Sequence, residues 1–267
     1  GLREKTGVIV VGIWQRGKFE IPRPQTIIHP NSILLLAGSE EHFRRYDDFV
    51  SSSRSYAAPV VILGGGRVGQ AAAETLEELG IDYRVVEKDR NLIKDNNKYI
   101  LGDASDLHIL ERAGISAESP SVLITTRDDD INIYLTIYCR ELRPNIQINS
   151  RANLERNISK LYSVGADMVM SYASMGASKI LNILIPDASL MLVEGLNVFK
   201  AHVPASLIGK ALAEKQIRRK TGCNVIAICS RDSFNINPDP TVKLKKNEEL
   251  ILIGTAKAEK EFKNVFS

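Results

Sequence analysis

Three glycines, Gly64, Gly66 and Gly69, follow the apolar run Val60-Val61-Ile62-Leu63 and open an Ala-rich stretch. Each does a different job in an anion-binding turn. Gly64 permits a tight strand-to-helix turn, Gly66 lets a pyrophosphate approach the backbone, and Gly69 lets the helix pack close to its sheet. A helix starting there offers N–H donors and the positive end of its dipole to a phosphate. Glu87 closes the next apolar run, the place where an acid accepts hydrogen bonds from an adenosine ribose. The glycine spacing alone also occurs in turns that bind nothing. The strand before it, the helix after it and Glu87 together favour a nucleotide.

Other side chains fall beyond the carboxyl ends of apolar runs, where open parallel sheets bind their ligands. Gly102-Asp103-Ala104-Ser105 places Asp103 within reach of a purine amino group, although Asp103 and Ser105 could equally cap the following helix. Thr125-Thr126-Arg127 ends the next run. Arg151 ends the one after and is expected to point toward the same crevice, either as a phosphate ligand or at a dimer interface. Arg67 sits inside the glycine turn, and Lys88 follows Glu87. The acids Asp128-Asp129-Asp130 could suggest a metal, but three acids opening a helix are what the macrodipole favours. Asn235-x-Asn237-x-Asp239 resembles part of a calcium loop without its Gly and Glu, so a turn is expected. A G-x-S-x-G elbow, an H-E-x-x-H pair and a P-loop are all absent from the sequence. The four histidines, His29, His42, His108 and His202, are scattered. With no positioned acid–base group, an enzyme is not the expectation.

These residues need a scaffold that brings strand ends together, and the periodicity supplies one. Val60–Leu63, Asp82–Glu87, Lys98–Leu101, Ser121–Thr126, Ile146–Ser150 and Met168–Ser171 read as strands. Val68–Leu79, Leu107–Ala113, Asp128–Leu142 and Leu154–Val164 read as the helices between them; Ile131, Leu135, Tyr138 and Leu142 share one face. Strands alternating with helices of this length give right-handed βαβ units in a parallel, doubly wound sheet. The expected class is α/β, a Rossmann-like domain.

A repeat flanks this domain. Lys5-Thr6-Gly7 recurs as Lys220-Thr221-Gly222, and from there the two stretches run at an offset of 216. Ile9–Ile13 matches Val225–Cys229, Pro22-x-Pro24 matches Pro238-x-Pro240, and Leu34–Gly38 matches Leu250–Gly254. Each copy reads as a small antiparallel unit. A helix capped by Ser206, with the stripe Leu207, Ile208, Ala211 and Leu212 and ended by Gly222, precedes the second copy. The first copy keeps only the end of such a helix, which suggests a chain cut from something longer. The expected organisation is a truncated C-terminal lobe at 1–48, a Ser-rich linker at 49–58, a nucleotide-binding lobe at 59–185 and a second C-terminal lobe at 186–267.

Composition fits that scheme. The 267 residues are 44% hydrophobic and 25% charged, average for a globular protein. The longest apolar runs fall far short of a membrane helix, and no basic-then-apolar leader is seen, so a cytosolic chain is expected. A net charge of +3 argues against nucleic acid as a partner. Three cysteines without a C-x-x-C pair argue against disulfides and zinc.

Several segments are similar to the RCK domains of potassium channels and transporters, also called KTN or Trk-type domains. They are Leu101-Gly102-Asp103-Ala104-Ser105-Asp106, Leu123–Asp130, and Ser150-Arg151-Ala152-Asn153 followed by Val164-Gly165-Ala166-Asp167. Ala113-Gly114-Ile115 and Arg151-Ala152-Asn153 carry most of the specificity, and the repeat resembles the family's C-terminal lobe in a tandem arrangement. The resemblance implies a regulatory module, not an enzyme, with NAD(H) or ADP/ATP as ligand and a divalent cation conceivable but not indicated. By motif position the ligands are Gly64, Gly66, Arg67, Gly69, Glu87, Lys88, Asp103, Ala104, Thr125, Arg127 and Arg151. It also implies homodimers, paired through a helix at Ala173–Leu184 and assembled into a gating ring. The ring would serve a membrane-embedded potassium pore, upstream in the same chain or on a separate subunit, from the cytoplasmic side of the membrane. An NAD-dependent oxidoreductase and a nucleotide-sensing protein without a channel remain the alternatives.

Overall fold

In the computed structural model, Val60–Leu63 (β4) is buried on both faces, and its side chains divide between two cores. Val61 and Leu63 pack with Leu110, Leu135 and Cys139, whereas Val60 and Ile62 pack with Ala73 and Val85. A strand covered by helices on both faces needs a continuous apolar run, which is what the sequence supplies. The structure describes residues 2–15, 17–22, 25–29, 32–51, 58–115, 119, 121–172, 176, 190–193, 196–230, 233–236 and 238–266.

Six parallel strands form the central sheet. They are β4, β5 (Tyr83–Glu87), β6 (Tyr99–Leu101), β7 (Ser121–Ile124), β8 (Gln147–Ala152) and β9 (Met168–Ser171). Their order is β6-β5-β4-β7-β8-β9, so the winding direction reverses between β4 and β7. The crevice at that reversal is where such sheets bind ligands. The helices are α3 (Arg67–Glu78), α4 (Leu107–Arg112), α5 (Asp129–Leu142) and α6 (Ile158–Ser163). The periodic reading located all four, although the expected helix 154–164 begins as a 3-10 turn over Glu155–Asn157. A buried ion pair, Arg140 Nη2 to Asp167 Oδ2 at 2.7 Å, ties α5 to the start of β9. Asp167 Oδ2 also accepts the Ile148 N–H, so the pair holds β8 and β9 in register.

The flanking units repeat in three dimensions. The first contains α1 (Leu2–Thr6), β1 (Ile9–Gln15), β2 (Lys18–Glu20), β3 (Ile33–Ala37) and α2 (Glu40–Ser51), with sheet order β2-β1-β3. The second contains β10 (Leu190–Val193), β11 (Leu196–His202), α7 (Leu212–Lys215), α8 (Ile217–Thr221), β12 (Asn224–Cys229), β13 (Phe234–Ile236), β14 (Glu249–Thr255) and α9 (Ala256–Phe266). Its sheet order is β10-β11-β14-β12-β13. Both copies skip one residue at the same point of the first pairing, between Val10 and Gly12 and between Val225 and Ala227. This bulge corrects the sequence match. Ile9–Ile13 corresponds to Asn224–Ile228, one residue earlier than Val225–Cys229, because Ile9 pairs with Ala37 as Asn224 pairs with Ile253. A one-residue slip would turn every side chain to the wrong face.

Two further expectations change. The helix anticipated behind Ser206 is broken: Ser206 lies in a 3-10 turn, Gly209 has φ +76°, and Gln216 at φ +48° separates α7 from α8. Phe49–Ser51, expected in the linker, ends α2. The helix expected at 173–184 lies, Gly176 apart, outside the described residues. The two repeat units also touch one another: Val11, Leu196 and Ile253 form a shared buried cluster with Ile9, Phe19 and Val198 around it. Arg218 Nη2 donates to the carbonyls of Ile21 and Pro22 across this junction.

Candidate functional site

The reversal between β4 and β7 opens into a cleft of about 700 Å³. Its floor is the glycine turn. Gly64 has φ +109°, a conformation that costs glycine little and other residues much. A Cβ on Gly69 would lie 1.9 Å from the Gly64 carbonyl oxygen, so only glycine lets α3 start this close to β4. Gly66 differs. Its φ of −69° suits any residue, and a Cβ there would meet only Arg127 Nε, at 4.0 Å. The space above Gly66 is open, and the N-terminus of α3 faces it.

Glu87, at the end of β5, closes one wall. Its Oε2 accepts the Gly65 N–H at 2.6 Å and its Oε1 accepts the Asp89 N–H at 2.8 Å. The carboxylate thus buttresses the glycine turn while each oxygen keeps a lone pair for a further donor. Asp103 accepts from the backbone N–H and hydroxyl of Ser105, both at 2.8 Å. Those bonds hold its carboxyl below the usual carboxylate range, against the opposing effect of burial. The cap of α4 is Asp106, which accepts the His108 N–H, so neither Asp103 nor Ser105 serves that role. Thr125 is buried, with its hydroxyl 2.8 Å from the Gly64 carbonyl and 3.1 Å from that of Leu63. Its side chain fastens the turn to β7.

Asp128 caps α5 by accepting the N–H groups of Asp130 and Ile131. Asp129 turns inward and receives Asn153 N and Nδ2, Leu154 N and Asn157 Nδ2, all within 2.9 Å. The acid triplet is therefore a cap plus an internal anchor. Asp239 accepts the Thr241 N–H in a turn, as expected. Asn132, fully buried, donates to the carbonyls of Thr126 and Arg151, and so joins the ends of β7 and β8.

Eight of the expected ligands line the cleft: Gly64, Gly66, Glu87, Lys88, Asp103, Ala104, Thr125 and Arg127. Three do not. Gly69 lies beneath the turn as packing, and Arg67 is exposed at the start of α3. Arg151 turns from the cleft, with its guanidinium 5.3 Å from the centre of the Tyr172 ring. Residues that motif reasoning missed form the outer wall: Asp89, Leu92, Ile131 and Tyr134. Tyr134 stacks on Tyr138 at 5.8 Å and exposes half its surface. The α5 periodicity located Ile131 on one face with Leu135 but did not connect it with the cleft. Among the described residues no cluster of His, Cys, Asp or Glu is placed to hold a metal, and no helix is long and apolar enough to cross a membrane.

The arrangement suits a diphosphate over Gly66, with Arg127 beside it and an adenosine ribose near Glu87. A family model of the TrkA-N domain matches residues 60–172, and one of the TrkA-C domain matches residues 1–51 and again 198–267. "Probable potassium channel protein 2" of Methanocaldococcus jannaschii is 26% identical over 252 residues, covering 86% of this chain and 73% of its own length. The TrkA homolog of the Trk potassium uptake system of Pyrococcus horikoshii is 26% identical over 222 residues, with 77% and 96% covered. The crystal structure of the GsuK RCK domain shares 35% identity and a TM-score of 0.59 over 99% of this chain and 58% of that one. The GsuK channel bound to NAD gives 35% and 0.58, covering 100% of this chain and 48% of that one. The chain thus spans about half the length of these two solved structures.

Proposed function

The chain belongs to the RCK family, with one TrkA-N and two TrkA-C domain matches, and from that premise we propose a regulatory module that controls potassium transport by binding a nucleotide between β4 and β7. The observation that carries this reading is the room above the Gly66 backbone, framed by the α3 N-terminus, Arg127 and Glu87. The ligand is NAD(H) or an adenine nucleotide, and the potassium channel relatives and the NAD-bound GsuK channel support both parts. The module works as a homodimer within a larger ring, on the cytoplasmic side of a membrane-embedded potassium pore. It is a sensor, not a catalyst: no histidine or cysteine lines the cleft among the described residues, and NADH should not turn over with any keto acid or aldehyde.

Selectivity follows from charge. Glu87 and Asp89 share the wall where a ribose would lie, and a 2′-phosphate there meets two carboxylates against the single cation Lys88. Calorimetry should show NAD(H) bound about ten-fold or more tightly than NADP(H), where each ten-fold is ~1.4 kcal/mol. Glu87→Gln should narrow the gap. Equal affinity of the wild type for the two would overturn the ligand assignment.

A further inference from the structure

The hairpin β1–β2 of the first TrkA-C unit rests on α6 of the nucleotide-binding lobe. Trp14, the only tryptophan of the chain, is buried with its ring centre 6.0 Å from that of Tyr162. At the hairpin tip a Cβ on Gly17 would come within 2.8 Å of the same ring, so the backbone itself sits on Tyr162. Tyr162 Oη accepts the Val169 N–H at 3.2 Å, which fixes the ring to β9. α6 also buries Ile158 and Leu161 against Ala152 and Val169, and Tyr162 packs on that same cluster. A shift of α6 therefore has to move the hairpin, since these close-packed contacts leave no slack.

The start of α6 is tied to the cleft. Asn157, the residue preceding the helix, donates to Asp129 Oδ2 at 2.8 Å, and Leu154 N donates to the same oxygen. Asn153 donates from Nδ2 to Asp129 Oδ1 and to the Arg127 carbonyl at 3.0 Å. Arg127 in turn is the residue whose side chain faces the open space over Gly66. One carboxylate thus joins the loop that would close on a diphosphate to the helix that carries Tyr162.

We propose that the first TrkA-C unit reads occupancy of the cleft through this chain of contacts: the Arg127–Asp129 loop moves with bound nucleotide, Asn153 and Asn157 pass the movement to α6, and Tyr162 delivers it to Trp14 and Gly17. The inference rests on the nucleotide reading above. Contact continuity alone does not establish coupling; a change of affinity across the chain of contacts does. By reciprocity, loosening the Trp14–Tyr162 contact must alter nucleotide affinity as much as nucleotide alters the contact.

The test pairs calorimetry with Trp14 fluorescence during titration with NAD. The emission of the wild type should change and saturate with the calorimetric dissociation constant. Tyr162→Ala, at a position outside the lining of the cleft, should change that constant by about five-fold or more, the lower end of measured couplings. Tyr162→Phe keeps the ring and should restore most of it. Trp14→Phe, read by calorimetry, is the second variant, and the wild-type emission needs no variant at all. Heat of binding with unaltered Trp14 emission and unaltered affinity in the folded variants overturns the relay and leaves the proposed function standing. Absence of any heat with NAD removes the ligand reading, and the relay with it.

Discussion

At Gly66 and Gly69 two glycines three residues apart answer to different constraints. Gly69 is excluded from bearing a side chain by the Gly64 carbonyl, whereas Gly66 has room for one and only a ligand to lose by it. Gly66→Ala should therefore fold as the wild type does, with an unaltered melt, yet bind NAD about ten-fold or more weakly, a loss of ~1.4 kcal/mol or more. Gly69→Ala should cost about 1–3 kcal/mol or more of stability through overpacking, visible as a lowered thermal midpoint. A Gly66→Ala protein that binds normally would show that nothing approaches that backbone. The arginines separate in the same way. Arg127 faces the turn and Arg151 faces Tyr172. Arg127→Ala should remove a charge-assisted contact of about 1.5–3 kcal/mol, roughly ten-fold or more in affinity, while Arg151→Ala leaves calorimetric binding as it was. Sequence position gave both arginines equal standing because each ends a strand; only side-chain direction distinguishes them.

At the scale of elements, Asp129 is the joint on which α5, the end of β8 and α6 converge. Burial raises its carboxyl pKa, but the bonds from Asn157, Asn153 and Leu154 outweigh that and hold it below the usual range. The unfolded chain therefore takes up this proton at a higher pH than the folded one. The stabilisation is complete above the ordinary carboxylate value of about 4 and is lost as pH falls through the lower folded value. Urea melts from neutral pH down through that range should show Asp129→Ala destabilised by about 1–3 kcal/mol at neutral pH, with a shallower acid limb than the wild type. The parallel sheet was legible because its strands are short apolar runs between helical periods, and Val60–Leu63 and Met168–Ser171 match residue for residue. The repeat units were read less well. The bulge at Val11 and Ile226 shifts the register without any mark in the residue types, and β11, α2 and α9 were not anticipated at all. α2 and α9 are strongly charged helices, and the buried face of α9, Ala258, Phe262 and Phe266, exists only once the second sheet lies beneath it. Even the half-burial of β3, against the buried core of β14, depends on neighbours: β14 pairs with β11 as well as β12, and among the described residues β3 pairs with β1 alone.

For the whole molecule, the pairing of the two TrkA-C units within one chain bears on how copies would associate. Val11, Leu196 and Ile253 already cover one another, so that junction needs no second subunit. The nucleotide-binding lobe is in a different position. Ile131, Tyr134 and Ile137 stand exposed along one side of α5, with Leu107 exposed on α4. In the sequence, Ala173, Ala177, Ile180, Leu181 and Leu184, which lie outside the described residues, recur at helical spacing. The apolar side chains exposed on α4 and α5 are better explained by association than by a solitary monomer. Light scattering at tens of micromolar should therefore give at least a dimer. Ile180→Asp should shift the mass toward the monomer, because burying an unpaired carboxylate costs several kcal/mol and an interface cannot absorb it. The melting curve serves as the control: the variant should keep the cooperative unfolding of its lobes while losing mass. A wild-type monomer at that concentration would refute the assembly, and a dimer that withstands Ile180→Asp would move the interface away from 173–184.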